Sequence, residues 1–384
     1  MTIKKKRILL AFGTRPEAIK MAPLYLELKK NLDYFDTSIC VSAQHRDMLD
    51  QVLHGFNIKP DFDLNVMKPS QDLFDITSSI LLGMRDVLRV CRPDYLLVHG
   101  DTTTALASSI AAFYENIKIG HIEAGLRTNN ILKPFPEEFN RQVVSKITSI
   151  HFAPTSQSKK NLLEEKIKES SIKVVGNTVV DALYLTINQL ETDLEKKNKI
   201  VSLLNSLLRF DWTAEIFILI TGHRRENFGE GLQEICNALK RLSLDYPNIQ
   251  FIYPVHLNPN VQKPVLNSLS GIKNFHLIPP LDYEPFIYLL KHSYFVLTDS
   301  GGIQEEAPSL NIPVLVMRNE TERPEALESG AVKLVGSSAS SIVAHVKKLL
   351  EDKNFYDIMA RSKNPYGDGT SSKKIVDELI KANS

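Results

Sequence analysis

The feature that most constrains the fold is a regular alternation of short apolar runs with longer amphipathic segments. Runs such as Ile8–Phe12 and Tyr95–His99 have the composition of buried strands, and segments such as Ala18–Lys30 and Leu232–Leu244 have helical spacing. This alternation predicts parallel sheets with helices on both faces. The predicted strands are Ile8–Phe12, Thr37–Ser42, Tyr95–His99, Ile117–Ile122, His151–Pro154, Lys173–Gly176, Ile216–Thr221, Gln250–Val255, His276–Ile278, Tyr294–Asp299, Val314–Met317 and Val332–Val335.

The pattern begins twice along the chain. The second half starts with IFILITGHRREN at 216–227, much as the first starts with ILLAFGTRPEA at 8–18, and the stretch Asp181–Asp211 between them has no strong strand signal. A chain of 384 residues also suits two domains, since a domain has typically ~100–200 residues. The sequence therefore predicts an α/β protein with two doubly wound Rossmann-like domains facing each other across a cleft.

Charge and cysteine content narrow the class of protein. The net charge of +1 does not favour nucleic acid or an acidic membrane surface as a partner. Cys40, Cys91 and Cys236 lie far apart, with neither zinc spacing nor a disulfide pattern. The run Ile8–Phe12 is too short for a signal peptide, and no segment approaches the ~20 apolar residues of a membrane span. We expect a cytoplasmic protein without membrane partners or a bound metal.

In doubly wound folds, ligands bind beyond the carboxyl ends of the strands. Asp101 follows the predicted strand Tyr95–His99 directly after Gly100, and Glu123 follows the strand Ile117–Ile122. A carboxylate in such a position either caps a helix or takes part in chemistry.

The segment FGTRPEAIK predicts a tight turn into a helix. Gly13 permits the turn, and Thr14 and Glu17 have the spacing of a capping box. Pro23 predicts a kink or a restart of the helix. Arg15 and Lys20 add two cations near a helix N-terminus, where free amides already favour an anion. A capped surface helix explains the capping box, but it explains Arg15 poorly.

The segment VLTDSGGIQEEAP predicts a second ligand-facing turn. Ser300, Gly301 and Gly302 allow backbone amides to approach a ligand, and Glu306, one turn into the helix, suits a ribose diol. The pattern is neither GxGxxG nor a P-loop, so neither nucleotide fingerprint applies. In TGHRRENFGEG, His223 follows the first strand of the second half, in the place that Arg15 has in the first.

A third carboxylate, Glu137, follows Pro134 and Pro136 in PFPEEFNRQ. With Asp101 and Glu123 it gives one domain several acids at junctions of loops and regular elements. Such a cluster can hold different protonation states and so act as acid and base. Helix capping explains part of it, and metal binding is less favoured because no HxxxH or DxD-type spacing is present. The residues alone indicate an enzyme that performs acid/base chemistry on a phosphorylated ligand, with a nucleotide as the favoured type.

Ten segments in a fixed order resemble the bacterial non-hydrolysing UDP-N-acetylglucosamine 2-epimerases. The resemblance extends from about Ile8 to the NPYGDG segment at 364–369, and the ordered set is much more specific than any single motif. The segments are FGTRPEAIKMAPL, AQHRDMLDQVL, VHGDTTTALA, GHIEAGLRT, PFPEEFNRQ, GNTVVDAL, GHRREN, YPVHLNPNV, DSGGIQEEAPSL and TERPEAL.

The resemblance implies a GT-B-like fold and a reaction. We expect an N-terminal Rossmann-like domain at 1–175, a UDP-binding domain at 176–365, and a C-terminal helix at 366–384 that packs on the first domain. The implied reaction interconverts UDP-N-acetylglucosamine (UDP-GlcNAc) and UDP-N-acetylmannosamine (UDP-ManNAc) by elimination of UDP to 2-acetamidoglucal and re-addition. It needs no redox cofactor, supplies bacterial surface polysaccharides, and occurs in enzymes that are usually homodimers.

The resemblance also implies residue roles. Asp101, Glu123 and Glu137 resemble the acid/base carboxylates, and His223 the residue that supports the leaving diphosphate. Contacts to the diphosphate and nucleotide are implied for Arg15, Lys20, Ser300, Gly301, Gly302 and Arg323, with Phe286 beside the uracil and Glu306 on the ribose. Some members bind a second, activating UDP-GlcNAc, and Gln44, Arg224 and His256 match that site, whereas Asp47 and Ser70 differ from the Gln and Arg of some members.

Three other functions remain open from the sequence. A hydrolysing relative would release UDP and ManNAc from a similar site. A glycosyltransferase of the same fold would transfer the sugar to an acceptor, for which three carboxylates are more than the chemistry needs. A binding module without catalysis would use Asp101 and Glu123 only as caps.

Overall fold

The computed structural model describes residues 5–43, 46–68 and 70–382 and divides into two compact units. The first runs to Tyr184 and includes the segment from Tyr366 onwards, and the second is Leu185–Pro365. The first unit thus extends beyond the expected boundary at 175. The reason is that residues after 175 contact its other parts: Asn177 hydrogen-bonds Glu123, and Asp181 accepts from the backbone of Ser372.

Each unit contains a parallel sheet. The strands are β1 Lys6–Phe12, β2 Phe35–Val41, β3 Phe62–Asp63, β4 Tyr95–His99, β5 Lys118–Ile122, β6 Ile150–Ala153, β7 Ile172–Val174, β8 Phe217–Thr221, β9 Gln250–Pro254, β10 Phe275–Ile278, β11 Phe295–Thr298, β12 Val314–Val316 and β13 Val332–Leu334. Their order is β3-β2-β1-β4-β5-β6-β7 in the first unit and β10-β9-β8-β11-β12-β13 in the second. In each sheet the strand order changes direction between two central strands, β1 and β4 in the first unit and β8 and β11 in the second. Ligands of doubly wound folds bind at such topological switch points.

Helices connect the strands and cover the sheets. They are α1 Arg15–Lys30, α2 Arg46–Gly55, α3 Leu73–Cys91, α4 Thr103–Tyr114, α5 Glu137–Ile147, α6 Ser156–Glu164, α7 Thr178–Thr192, α8 Leu194–Leu207, α9 Glu230–Asp245, α10 Pro259–Leu269, α11 Tyr283–His292, α12 Gly301–Glu306, α13 Pro324–Ser329, α14 Ala339–Glu351, α15 Lys353–Ala360 and α16 Ser371–Lys381. None of the helices in the described ranges is long and apolar enough to span a bilayer.

The doubly wound fold class predicted from the sequence is confirmed in both units. Every predicted strand is present with small shifts at its ends, and the stretch Asp181–Asp211, which has no strong strand signal, contains no strand and is largely helical. Strand β3 was not predicted, because two residues give no periodic signal. The three cysteines are unpaired.

Helix α1 begins with the predicted capping box between Thr14 and Glu17, but it does not restart at Pro23. Proline removes one backbone hydrogen bond from a helix interior, which disfavours continuation. Here the neighbouring Met21, Ala22 and Leu24 are buried. Burial of this apolar face stabilises the helix enough to keep it continuous through the proline.

Candidate active site

The first unit gathers polar side chains at the carboxyl edge of its sheet. Asp101 follows β4, Glu123 follows β5, and Asn177 lies between β7 and α7. Gly100 and Glu123 both have φ near +62°. This left-handed backbone suits glycine, but it is uncommon for glutamate.

The Glu123 carboxylate is buried and held by donors from distant segments. Lys20 Nζ and Asn177 Nδ2 both donate to Glu123 Oε2, the latter at 2.8 Å. His99 Nε2 lies 3.7 Å from the same oxygen. A cation and an amide donor on one oxygen stabilise the ionised form of the carboxylate.

Two buried histidines connect β4 and β5 to these turns. His121 Nε2 lies 2.7 Å from Gly100 O, so this nitrogen carries the proton and donates to the carbonyl before Asp101. Burial lowers the pKa of His121 to about 4. Burial also lowers the pKa of His99 to about 4, with Glu123 opposing the shift and Lys20 adding to it. Both rings are therefore neutral at pH 7. His121 of β5 thus holds the turn after β4. His99 of β4 lies beside Glu123, the carboxylate that follows β5.

Asp101 is held by α5. Arg141 places Nη2 at 2.7 Å and Nε at 2.9 Å from Asp101 Oδ2, and Asn140 Nδ2 donates to the Asp101 carbonyl at 2.7 Å. The same guanidinium donates from Nη1 to Glu138 Oε2 at 2.9 Å, where Glu138 is fully buried. One arginine thus pairs with two carboxylates.

Glu137 is the first residue of α5, one turn before Arg141. Because residues i and i+4 share a helix face, α5 presents Glu137 on the side of the helix that binds Asp101. Its Oε2 is buried and has no hydrogen-bond partner among the described residues. Buried polar atoms are seldom left without a partner, so this oxygen is a candidate contact for a ligand.

The turn from β1 into α1 is tied to the Asp101 loop. Glu17 accepts from the amides of Gly13 and Thr14 at 2.9 and 2.8 Å, and from Thr102 Oγ1 at 2.6 Å. Arg15, half-buried, opens the helix. Lys20, predicted to contact the diphosphate, lies one turn further and pairs with Glu123. It therefore belongs to the carboxylate cluster in this structure.

In the second unit, Asp299 shapes the loop that carries His223. Asp299 Oδ2 accepts from the amides of His223 and Arg224 at 2.9 and 2.8 Å, and His223 Nδ1 lies 3.5 Å from Oδ1. Burial lowers the pKa of His223, and Asp299 opposes the shift. The side chain remains 41% exposed, so a neutral imidazole is presented at the loop surface.

The two second-unit residues predicted for an activator site lie close to this loop. The rings of His223 and His256 stack with centroids 5.5 Å apart, and Arg224 adjoins His223 in sequence. Gln44 lies outside the described residues, and so does the side chain of Asp47.

The glycine turn after β11 lies against an arginine. Ser300 precedes α12, and a Cβ on Gly301 would come within 2.5 Å of Arg323 Nη1, so a side chain there would have to displace the guanidinium. Arg323 donates to Glu305 Oε1 and Glu322 Oε1, both at 2.7 Å. Burial opposes ionisation of Glu322, but Arg323 and Arg318 together lower its pKa below the usual range. The arginine predicted to contact the diphosphate is thus also part of a buried ion-pair network.

The residues predicted for the nucleoside lie on neighbouring helices. Tyr283 donates its hydroxyl to Glu306 Oε1 at 3.0 Å, which fixes this buried carboxylate. Phe286 lies half-buried on α11, one residue beyond Pro285. The site residues thus form two groups, one in each unit.

Sequence reasoning did not identify Asn177, Arg141 or Glu322 as site residues. Asn177 and Arg141 act through partners distant in sequence, Glu123 and Asp101, whereas Glu322 pairs with the nearby Arg318 and Arg323. Arg141 had a weak local signal, because it follows Glu138 by three residues in a predicted helix.

Comparison with known proteins supports the resemblance found in the sequence. The family model described as UDP-N-acetylglucosamine 2-epimerase matches residues 27–380. The UDP-N-acetylglucosamine 2-epimerase of Campylobacter jejuni is 53% identical, over 98% of this chain and 98% of that protein. The enzyme of Escherichia coli K12 is 51% identical, over 97% of this chain and 98% of its own length.

Solved structures give the same result. The UDP-GlcNAc 2-epimerase from Neisseria meningitidis bound to UDP-GlcNAc has a TM-score of 0.91 and 51% identity, over 98% of this chain and 100% of that one. The Methanocaldococcus jannaschii enzyme in complex with UDP-GlcNAc and UDP has a TM-score of 0.82 and 33% identity, over 98% and 99% of the two chains. A glycosyltransferase from Rickettsia africae, at 14% identity and a TM-score of 0.61 over 99% of both chains, shares the fold alone.

The match covers nearly the whole chain in sequence and in structure, and Asp101, Glu123 and His223 follow the strand ends that the sequence pattern predicted. The chain belongs to the UDP-N-acetylglucosamine 2-epimerase family.

Proposed function

We propose that the chain catalyses the reversible, non-hydrolysing epimerisation of UDP-GlcNAc at C2, with UDP-ManNAc as the other epimer. The observation that best supports this is the Glu123 carboxylate, which is buried and receives donors from Lys20 and Asn177. Together with Asp101 and Glu137 it gives the first unit three carboxyl groups suited to proton transfer. The Neisseria meningitidis relative bound to UDP-GlcNAc supports the choice of substrate.

The proposed mechanism is elimination followed by re-addition. The C2 proton of the sugar has no neighbouring carbonyl, so its removal is coupled to loss of UDP from C1. A carboxylate takes the proton, its C–H electrons form the C1–C2 double bond of 2-acetamidoglucal, and the C1–O electrons leave with UDP. In the re-addition step, a UDP oxygen forms a bond to C1 again. The electrons of the C1–C2 double bond then take a proton from a carboxylic acid on the opposite face of C2. Two carboxyl groups must therefore act on opposite faces.

The first unit supplies the proton-transfer groups in this proposal. Asp101 and Glu123 each pair with a cation, Arg141 and Lys20, which holds their carboxyl oxygens in a fixed orientation. Glu137 has a buried oxygen without a partner among the described residues, and so can meet the sugar.

The second unit binds the nucleotide in this proposal. His223 donates to the leaving diphosphate, and the Ser300–Gly302 turn, with Arg323 against it, offers backbone amides and positive charge. Fixed donors at the leaving group stabilise the transition state because charge develops there. Phe286 borders the uracil and Glu306 accepts from the ribose hydroxyls. Arg15 completes the diphosphate contacts.

Three wider expectations belong to the proposal. Arg224 and His256 contact a second, activating UDP-GlcNAc, the chain forms a homodimer, and the product feeds surface polysaccharide synthesis in the cytoplasm. No redox cofactor is involved in the proposed route, because oxidation and reduction of C2 cancel within one elimination and one addition.

The test is proton NMR of the purified protein with UDP-GlcNAc in deuterated buffer. We expect UDP-ManNAc to form and deuterium to enter C2 of both epimers. Accumulation of free ManNAc and UDP would identify a hydrolysing enzyme instead. An unchanged spectrum would contradict the proposal and favour a glycosyltransferase or a binding module.

Substitutions at the carboxylates sharpen this test. Asp101→Asn and Glu123→Gln should each lower turnover by ~10²–10⁴-fold, because a lost acid/base group typically costs that much. Asp86→Asn is the matched control, since this exposed carboxylate on α3 pairs only at the surface with Arg85, at 2.8 Å. Wild-type turnover in the two site variants would rule out both roles.

A further inference from the structure

Glu123 depends on other segments for its position. Its φ of +62° is a conformation that a non-glycine residue keeps only when its surroundings hold it there. The charged and titratable groups that act on it include Lys20 from α1, His99 from β4 and His121 from its own strand, and Arg127 lies near His121. The neutral donor that reaches its carboxylate is Asn177.

Both ends of the Asn177 amide are engaged. Oδ1 accepts the backbone N–H of Val179 at 3.0 Å, and Nδ2 donates to Glu123 Oε2 at 2.8 Å. The first bond fixes which end of the amide is oxygen, so the NH₂ group must face the carboxylate. Asn177 is 2% exposed, which excludes water as a competing acceptor on most of its surface.

The C-terminal segment of the first unit fixes Asn177 in turn. The backbone N–H of Asn177 donates to Tyr366 O at 2.7 Å. Gly176, at φ +93°, lies so close to the same segment that a Cβ would come within 2.5 Å of Ser371 Oγ. Asp181, one turn into α7, accepts from the amides of Ser371 and Ser372 at 3.2 and 2.7 Å, at the start of α16.

We infer that Asn177 is a positioning residue: it orients the Glu123 carboxylate for proton transfer, and the segment Tyr366–Ser372 holds Asn177 in place. Helix α16, which continues this segment, also packs against α1, which carries Lys20, so the C-terminal part of the first unit supports two donors of Glu123. This inference rests on the proposed function of Glu123. It assigns a role in the reaction to a segment far from Glu123 in the sequence.

The decisive variant is Asn177→Asp. Aspartate keeps the oxygen that caps α7 at Val179, and Asn and Asp are equally good at a helix N-cap. It replaces the donor to Glu123 by a second carboxylate. If Asn177 only caps the helix and its side chain does not contact Glu123 in the working enzyme, kcat and its pH profile stay as in the wild type.

If Asn177 positions Glu123, Asn177→Asp should lower kcat by about 10²-fold, since a misplaced catalytic group costs that order of rate. KM for UDP-GlcNAc should stay within about twofold, as expected when substrate binding is untouched. The acidic limb of the kcat profile should move to higher pH, because a neighbouring carboxylate disfavours ionisation.

Asn177→Ser keeps the result interpretable if the aspartate variant does not fold. Serine also caps helices, adds no charge and is too short to reach Glu123 as Asn177 does. We expect kcat to fall while the acidic limb stays closer to its wild-type position. Asp193→Asn is the control, because Asp193 Oδ1 caps α8 at Lys196 in the second unit at 2.9 Å.

The outcomes separate this inference from the proposed function. If the wild type does not epimerise UDP-GlcNAc, the proposed function fails. If the wild type is active and both Asn177 variants match it in kcat and pH profile, the positioning role of Asn177 is refuted. Loss of kcat at constant KM, with the pH shift confined to the aspartate variant, supports it.

Discussion

At the scale of single residues, two carboxylates of the first unit share one cation. This cation is Arg141, whose guanidinium contacts both Asp101 and the fully buried Glu138. Removing a cation from a buried network leaves carboxylates without compensation, and this costs more than the intact pair contributes. The arginine therefore supports both stability and the candidate base.

We predict that Arg141→Met lowers the free energy of unfolding of the first unit by about 3–5 kcal/mol, the usual cost of breaking a buried ion pair. Arg141→Lys should lose less, because it keeps the charge but cannot bind two carboxylates with one planar group. Urea unfolding followed by far-UV circular dichroism measures both. A lysine variant as stable as the wild type would show that the fork geometry of Arg141 does not matter, and a lysine variant no more stable than the methionine variant would show that its charge alone contributes nothing.

The sequence alone identified the carboxylates but not their partners. Asp101 and Glu123 could be found because each follows a strand that its apolar composition predicts. Lys20 lies in another segment from Glu123, and no local pattern connects them. Pairings of this kind form only when the sheet brings strand ends together, so they require the three-dimensional structure.

At the scale of elements, the strands were predictable because buried parallel strands are short, apolar and bounded by turns. What could not be predicted was the continuity of α1 through Pro23, since burial of one face decides it, and the two-residue strand β3. The glycine turn Ser300–Gly302 at the start of α12 was predictable only in part. The sequence predicts that its backbone approaches another group closely, and the structure identifies that group as Arg323.

The two glycines of this turn differ in a testable way. A Cβ on Gly301 would lie 2.5 Å from Arg323 Nη1, whereas a Cβ on Gly302 meets Glu306 Oε2 only at 3.9 Å. Gly301→Ala must displace Arg323 from Glu305, and we expect it to destabilise the second unit by about 1–3 kcal/mol, as overpacking typically does.

Gly302→Ala is the matched control, because alanine is favoured over glycine in a helix and has room here. Its stability should equal or exceed that of the wild type. Urea unfolding followed by the fluorescence of Trp212 is the measurement, since this is the single tryptophan of the chain and is buried in the second unit. Equal stability of the two alanine variants would mean that Arg323 can move without loss.

At the scale of the whole molecule, the two units should respond differently to acid. The first unit contains three buried histidines on adjacent strands, and burial lowers the pKa of His99 and His121 to about 4 and that of His151 to about 3. Below the ordinary value of 6.5, the unfolded chain binds protons that the folded unit does not. Stability is therefore lost as the pH falls from 6.5 towards 4.

Each such histidine should lower the free energy of unfolding by about 1.4 kcal/mol for each unit that the pH falls in that range. Burial raises the pKa of Glu17 and Asp181, so these carboxyls act in the opposite sense. In the second unit, burial lowers the pKa of His223 and His276, but both keep contact with solvent. We therefore expect a fall in pH to lower the free energy of unfolding of the first unit more than that of the second.

Between pH 7.5 and 5.5, hydrogen exchange at β4, β5 and β6, corrected for its intrinsic pH dependence, should therefore accelerate, while the urea midpoint seen by Trp212 changes less. His151→Leu isolates the effect, because it removes one titrating group from the buried row. Its first unit should lose about 1.4 kcal/mol less over this interval than the wild type. A Trp212 transition that shifts as much as the exchange at β4–β6 would show that the units unfold together, and that these histidines do not set the acid limit of the first unit.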